Sequence, residues 1–291
     1  MRRFEYFAPQ SLEEALSLLK EHGDGVKLLA GGTDLLVHMK EGGLHPPAVV
    51  SLHALPELRR IEFNETDGLT VGASATLAEV AAAAAVQERY TALADGAGIV
   101  GSVQTRNMAT LGGNIANAAP SADAAPPLVV FDAVTQIAGP GGSREAPVAE
   151  LFTGPGSTTL ASEELITSFR LATPPARTGS VYQRHTPRKI MDIAVVGVSV
   201  RLTLAANDDT IAEARICLGA VAPTVVRAQE AEEALTGQRP SGELFAKAAE
   251  LAQAGARPIS DVRGSAEFRR YLVGVMTNRC LNIALERANV G

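Results

Sequence analysis

Aromatic side chains are scarce in this sequence, at 4%, and tryptophan is absent. Ala, Val and Leu must therefore build the core. Only two cysteines occur, Cys217 and Cys280. Alone they cannot supply a four-thiolate iron–sulfur or structural zinc site. They read as buried small apolar residues, and nothing points to an oxidising compartment. The five histidines, His22, His38, His45, His53 and His185, show no metal-ligand spacing. Basic charge is not in excess: the net charge is −6, which argues against nucleic acid as a default partner. The longest apolar stretch, Ala81 to Val86, is far too short to span a bilayer. No apolar run follows Met1-Arg2-Arg3-Phe4-Glu5, so no signal peptide is expected and the protein reads as cytoplasmic. Neither a P-loop nor a Gly-x-Ser-x-Gly motif is present. What remains is a chain of 291 residues, 46% hydrophobic and 20% charged, with the balance of a soluble globular protein of one large or two modest domains.

Ser11 with Glu14 makes a capping box at a helix start, and Leu12, Ala15, Leu16 and Leu19 share one face up to a stop at Gly23. Val26 to Ala30 reads as a buried strand running into Gly31-Gly32-Thr33-Asp34 and a helix start at Leu35. Strands are expected at 49–52 and 69–72, and weaker ones at 128–131 and 135–138. Thr76 with Glu79 makes another capping box and opens a helix, 91–101 is helical or turn-like, and Gln104 to Asn117 reads as a polar loop. Pro174-Pro175 is the best boundary. Beyond it, 195–204 and 211–218 read as antiparallel strands joined at Asn207-Asp208-Asp209. Helices are expected at 241–255 and from 265 to about 287, the latter with Phe268, Leu272 and Val275 on its stripe.

Two glycine pairs stand out, Gly31-Gly32 and Gly112-Gly113. Glycine lets backbone N–H groups approach an anion without an intervening Cβ. Thr33 and Asp34 add a cap and local donors to the first loop, as Thr110 and Asn114 do to the second. Together they can clasp a pyrophosphate from two sides, although each pair alone also fits an ordinary turn. Valine at Gly31 or Gly112 is then expected to abolish cofactor binding with moderate loss of fold. Gly96-Ala97-Gly98-Ile99-Val100-Gly101 matches a dinucleotide fingerprint, but no convincing strand precedes it. Arg184, Arg188 and Lys189 precede Asp192 as a basic turn, either solvated or facing an anionic cofactor.

Together these segments resemble the FAD-binding medium subunit of the molybdenum hydroxylases, the xanthine dehydrogenase and carbon monoxide dehydrogenase family. Leu28-Leu29-Ala30-Gly31-Gly32-Thr33-Asp34-Leu35 is similar to the family's first flavin loop. The stretch Gln104-Thr105-Arg106-Asn107-Met108-Ala109-Thr110-Leu111-Gly112-Gly113-Asn114 is similar to the second, and is continued by residues 117–123 and Pro126-Pro127. Asp261-Val262-Arg263-Gly264-Ser265-Ala266-Glu267-Phe268-Arg269 is similar to its C-terminal helix start. The resemblance runs nearly end to end in the same order.

It implies an α+β fold. Residues 1–175 are a two-lobed FAD-binding domain of the vanillyl-alcohol-oxidase (PCMH) type, and residues 178–288 a small C-terminal domain of antiparallel sheet and helices. It assigns FAD contacts to Leu29, Ala30, Gly31, Gly32, Thr33, Asp34, Leu35, Thr110, Gly112, Gly113, Asn114, Asp123, Ile166 and Arg184. Val100 stands near a position where some relatives carry a bulky aromatic. The expected partners are a molybdenum-cofactor large subunit and a small subunit with two-iron clusters, in a dimer of heterotrimers. Electrons then leave to NAD or another acceptor, and no catalytic base is needed in this chain. A self-contained FAD oxidase or dehydrogenase on the same fold is the alternative; it would need its own substrate cap, for which little chain is left.

Overall fold

The computed structural model describes residues 2–188 and 191–290, so Lys189 of the basic turn lies outside the described residues. The chain begins with a small parallel sheet whose central strand is Ala48–Ser51, flanked by Glu5–Phe7 and Val26–Leu29. Helix Leu12–His22 covers it, burying Ala15 and Leu19. Its start is a variant of the expected box. The Ser11 hydroxyl accepts from Glu14 N–H, but the Glu14 carboxylate takes the N–H of Gln10. Gly23, at φ 53°, ends it. Leu19, Leu55 and Leu58 are fully buried here, each worth about 1.5–3 kcal/mol.

A five-stranded antiparallel sheet follows, in the order Ile61–Asn64, Gly68–Gly72, Leu165–Leu171, Val134–Gly139, Gly142–Pro147. Thr76 and Glu79 form the expected reciprocal box at helix Leu77–Ala82. The segment 128–131 is not a strand. Residues 128–130 belong to the helix Ala125–Val130, whose every residue is buried, and Phe131 caps its end. A short, wholly apolar run has no face to reveal its period, and Pro126-Pro127 suits a first helical turn, where an N–H is not needed. The expected loop at 104–117 also folds differently, into two short helices, Val103–Arg106 and Leu111–Ala116. Ser102 and Thr110 cap them by accepting from the N–H three residues on. Gly96 and Gly98 lie on helix Thr91–Ile99, not on a phosphate-binding turn. A Cβ at Gly96 would sit 2.6 Å from the Asp123 carbonyl, so this glycine serves close packing.

After Pro174-Pro175 comes an antiparallel sheet of Thr178–His185, Val196–Leu204, Ile211–Gly219 and Val226–Arg227. Helices Gly242–Gly255 and Ala266–Val290 back it. The last helix buries Arg269, Val273, Met276, Cys280, Leu281 and Ala284. That stripe is rotated by about one residue from the one expected, and Phe268 is 41% exposed. The strand Thr178–His185, which the sequence did not signal, packs against helix Thr91–Ile99 and joins the two halves. Gly179 permits the C-terminal helix to cross it, since a Cβ there would overlap the Ala284 carbonyl. Both cysteines are free and buried, and burial raises the Cys280 thiol to about 12. No described helix is long and apolar enough to cross a membrane.

Candidate functional site

A cavity of about 1110 Å³ opens where the parallel-sheet lobe, the five-stranded lobe and the C-terminal sheet meet. It lies at the large end of ligand pockets. Its wall includes Ala30, Gly31, Gly32, Thr33, Asp34, Leu35, Thr110, Gly112, Gly113, Asn114, Asp123, Ile166 and Arg184. Leu29 alone of the expected contacts is absent from this wall; its side chain packs beneath Gly32, where a Cβ would sit 2.8 Å from Leu29 Cδ1.

The two glycine loops touch. A Cβ at Gly31 would overlap the Met108 carbonyl and sit 2.8 Å from Ala109 Cα. Only glycine lets the loops approach this closely. Their backbones are nevertheless used in opposite ways. In the first loop the N–H groups of Gly31, Gly32, Thr33, Asp34 and Leu35 donate to no acceptor among the described residues. Asp34 stands at the N-cap position of helix Leu35–Lys40 but makes no capping hydrogen bond. In the second loop the N–H groups of Leu111 to Asn114 are all spent. Leu111 N–H donates to Ala75 O at 3.0 Å and Gly112 N–H to Ala73 O at 2.8 Å. Gly113 N–H donates to Thr110 Oγ1 at 3.1 Å, and Asn114 N–H to Thr110 O at 3.0 Å. Gly112 is fully wedged as well, because a Cβ there would sit 2.6 Å from Ala73 Cβ. The expected second set of phosphate-facing N–H groups is thus absent at Gly112 and Gly113. This loop offers side chains instead.

Two of the side chains on the wall, Ser74 and Asn114, hold buried oxygens without a partner, Ser74 Oγ and Asn114 Oδ1. Buried polar atoms are rarely left so. Ile166, 6% exposed, supplies apolar wall from strand Leu165–Leu171. Asp123 and Arg184 form an ion pair with both side chains buried. Burial holds the Asp123 carboxyl above its ordinary range against the opposing pull of Arg184 and Tyr182. The basic turn divides: Arg184 points inward, whereas Arg188 is exposed and pairs with Asp192 at 3.0 Å. Tyr182 was missed by sequence reasoning; its only signal is its position two residues before Arg184, on the same strand face. No described group of three or more His, Cys, Asp or Glu side chains is arranged to hold a metal. The free N–H row, the orphaned oxygens and the apolar wall fit an elongated ligand with an anionic middle.

Comparison with known proteins agrees. Residues 2–174 match the family described as the FAD binding domain in molybdopterin dehydrogenase. Residues 182–284 match the CO dehydrogenase flavoprotein C-terminal domain. The chain is 34% identical over 285 residues to the carbon monoxide dehydrogenase medium chain of Hydrogenophaga pseudoflava, covering 98% of each. It is 32% identical over 284 residues to the xanthine dehydrogenase FAD-binding subunit of Escherichia coli, covering 97% of this chain and 96% of that one. Its fold superposes on a solved structure of the Hydrogenophaga carbon monoxide dehydrogenase lacking its Mo-pyranopterin moiety, with a TM-score of 0.93 at 35% identity over 98% of both chains. Quinoline 2-oxidoreductase from Pseudomonas putida gives a TM-score of 0.91 at 28% identity over 99% of this chain and 98% of the other. The fold is the PCMH-type FAD-binding domain followed by the flavoprotein C-terminal domain. The chain therefore belongs to the FAD-binding medium subunits of the molybdenum hydroxylase family, and is an FAD-dependent oxidoreductase subunit.

Proposed function

We propose that this subunit is the electron outlet of a cytoplasmic dimer of heterotrimers. A large subunit oxidises substrate at molybdenum, a small subunit with two-iron clusters relays the electrons, and this chain delivers them to NAD or another acceptor. FAD, when bound, supplies the one- and two-electron chemistry. The chain's own residues bind and orient it. The N–H groups of Gly31 to Leu35 hold the pyrophosphate. Thr110 and Asn114 meet the ribityl chain, with Gly112 and Gly113 as the frame beneath them. Ala30 and Ile166 give apolar contact, and Arg184 brings a cation to the ring. Leu29 supports the first loop from below. The FAD-binding domain ends at residue 175 and the C-terminal domain spans 178–288.

The observation that carries this reading is the row of five unspent backbone donors on the wall of a cavity built from all three lobes. The test separates binding from substrate oxidation. The isolated chain should carry FAD non-covalently and lose its yellow colour with dithionite. It should stay yellow with a purine, an aldehyde, an aromatic acid or carbon monoxide. Adding the two partner subunits should make bleaching depend on substrate. Rapid bleaching of the isolated chain by one of those substrates would favour a self-contained dehydrogenase.

A further inference from the structure

Three side chains meet where the C-terminal sheet closes the cavity. Asp123 comes from the FAD-binding half, while Tyr182 and Arg184 alternate along strand Thr178–His185 and so share one face. The Tyr182 hydroxyl donates to Asp123 Oδ1 at 2.8 Å, and Arg184 Nη1 donates to Asp123 Oδ2. Each carboxylate oxygen thus has its own protein donor. Tyr182 can reach this far because Gly197 lies beside it; a Cβ there would sit 2.5 Å from the tyrosine oxygen. Among the described residues Asp123 is the one hydrogen-bond acceptor of Arg184. The guanidinium lines the cavity with Nε and Nη2 to spare. A free arginine has many rotamers, whereas this one is fixed before a ligand arrives.

We propose that Asp123 acts on FAD through Arg184: Asp123 and Tyr182 form a clamp, spanning the two halves of the chain, that aims the unspent Arg184 N–H groups at the bound cofactor. Asp123 and Tyr182 are positioning residues, and Arg184 makes the contact. A fixed cation favours the more negatively charged, reduced form of its neighbour, so Arg184 also raises the flavin's reduction potential, and the Asp123 carboxylate opposes it. The inference rests on the FAD reading above.

A double-mutant cycle tests it. FAD is titrated onto the cofactor-stripped full chain by flavin fluorescence, and the midpoint potential is read by dye equilibration. Arg184→Met should weaken FAD binding about tenfold, the scale of a charge-assisted hydrogen bond, and lower the potential. Arg184→Lys should recover part of both. Asp123→Asn should weaken FAD binding as well, by no more. The double variant should bind no worse than Arg184→Met alone. Tyr182→Phe, which removes only the hydroxyl, should produce a smaller version of the Asp123→Asn effect, and serves if the other variants fold poorly. Additive losses, near a hundredfold in the double variant, would mean that Asp123 contacts FAD directly and would overturn the clamp. So would an unchanged potential in Arg184→Met. A wild-type chain that takes up no FAD would overturn the functional reading itself, whereas additivity in a chain that does take it up overturns the clamp alone.

Discussion

The two glycine loops look alike in sequence and do different work in space. Each pairs two glycines with a threonine at the start of a short helix. Around Gly31-Gly32 the backbone donors are unspent and the nearest crowding at Gly32 comes from leucine side chains. Around Gly112-Gly113 the donors are all bonded within the protein, and the glycine at 112 is pressed against the backbone of Ala73. The first loop is built to receive a ligand. The second is built to hold the first one's floor in place while presenting Thr110 and Asn114. A glycine pair therefore signals a close approach, but not whether a ligand or the protein itself approaches.

Substitutions can separate the two roles. The largest effect is expected at Gly112→Val. The sequence alone suggested moderate loss of fold, but the new Cβ would meet Ala73 at 2.6 Å. Overpacking of this kind costs about 1–3 kcal/mol, so the FAD-free chain should melt lower, and FAD should be lost as well. Full thermal stability in this variant would mean that the second loop is not scaffold. Leu35→Pro is the counterpart at the first loop. It removes one unspent N–H at the first helical position, but Asp34 ahead of it sits in the helical region, at φ −101° and ψ −51°, which a following proline disfavours. FAD affinity should fall about tenfold, and the FAD-free chain should also melt lower, from the strain at Asp34 and the lost Leu35 side chain. Unchanged affinity would break the comparison.

Smaller effects lie away from the loops. Asp132, at φ 50°, is reached by Arg201 at 3.5 Å, Arg215 at 3.2 Å and Arg227 at 3.3 Å across the seam between the halves. Asp132 is 47% exposed, so Asp132→Ala should cost roughly 1 kcal/mol, and less with added salt. Denaturant melts at two salt concentrations check this. The least effect is expected at Glu79. Burial pushes its carboxyl up, but the Thr76 N–H and hydroxyl and the Arg59 side chain pull it below the ordinary 4.5. Its folded value lies under its unfolded one, so its contribution is complete above about pH 4.5 and fades as pH falls through the folded value. At 44% exposure it amounts to less than about 1 kcal/mol. Glu79→Gln should flatten that part of the stability–pH curve slightly.

Much of this was legible in the residues. The Thr76–Glu79 box and the Asn207-Asp208-Asp209 turn each have a local cause, and each sits where expected. The motif order was enough to reach the family and the cofactor. What failed depends on contacts distant in sequence. The helix over 128–130 is hidden because it is enclosed on all sides, which removes any periodicity. The Phe268 stripe is displaced because Arg269, although charged, is buried by hydrogen bonds to Val195 O and Ala220 O and to Asp261. The Asp123, Tyr182 and Arg184 triad spans 61 residues, and no local pattern announces it. Spent and unspent N–H groups likewise cannot be told apart until the carbonyls of Ala73 and Ala75 are placed.

Amide hydrogen exchange, with and without FAD, tests the central claim most directly. Exchange should be fast at Gly31, Gly32, Thr33, Asp34 and Leu35 in the cofactor-free chain, and these amides should be strongly protected once FAD is bound. Leu111 to Asn114 should be protected in both states. Protection of the first loop without FAD, or its continued fast exchange with FAD bound, would contradict the account.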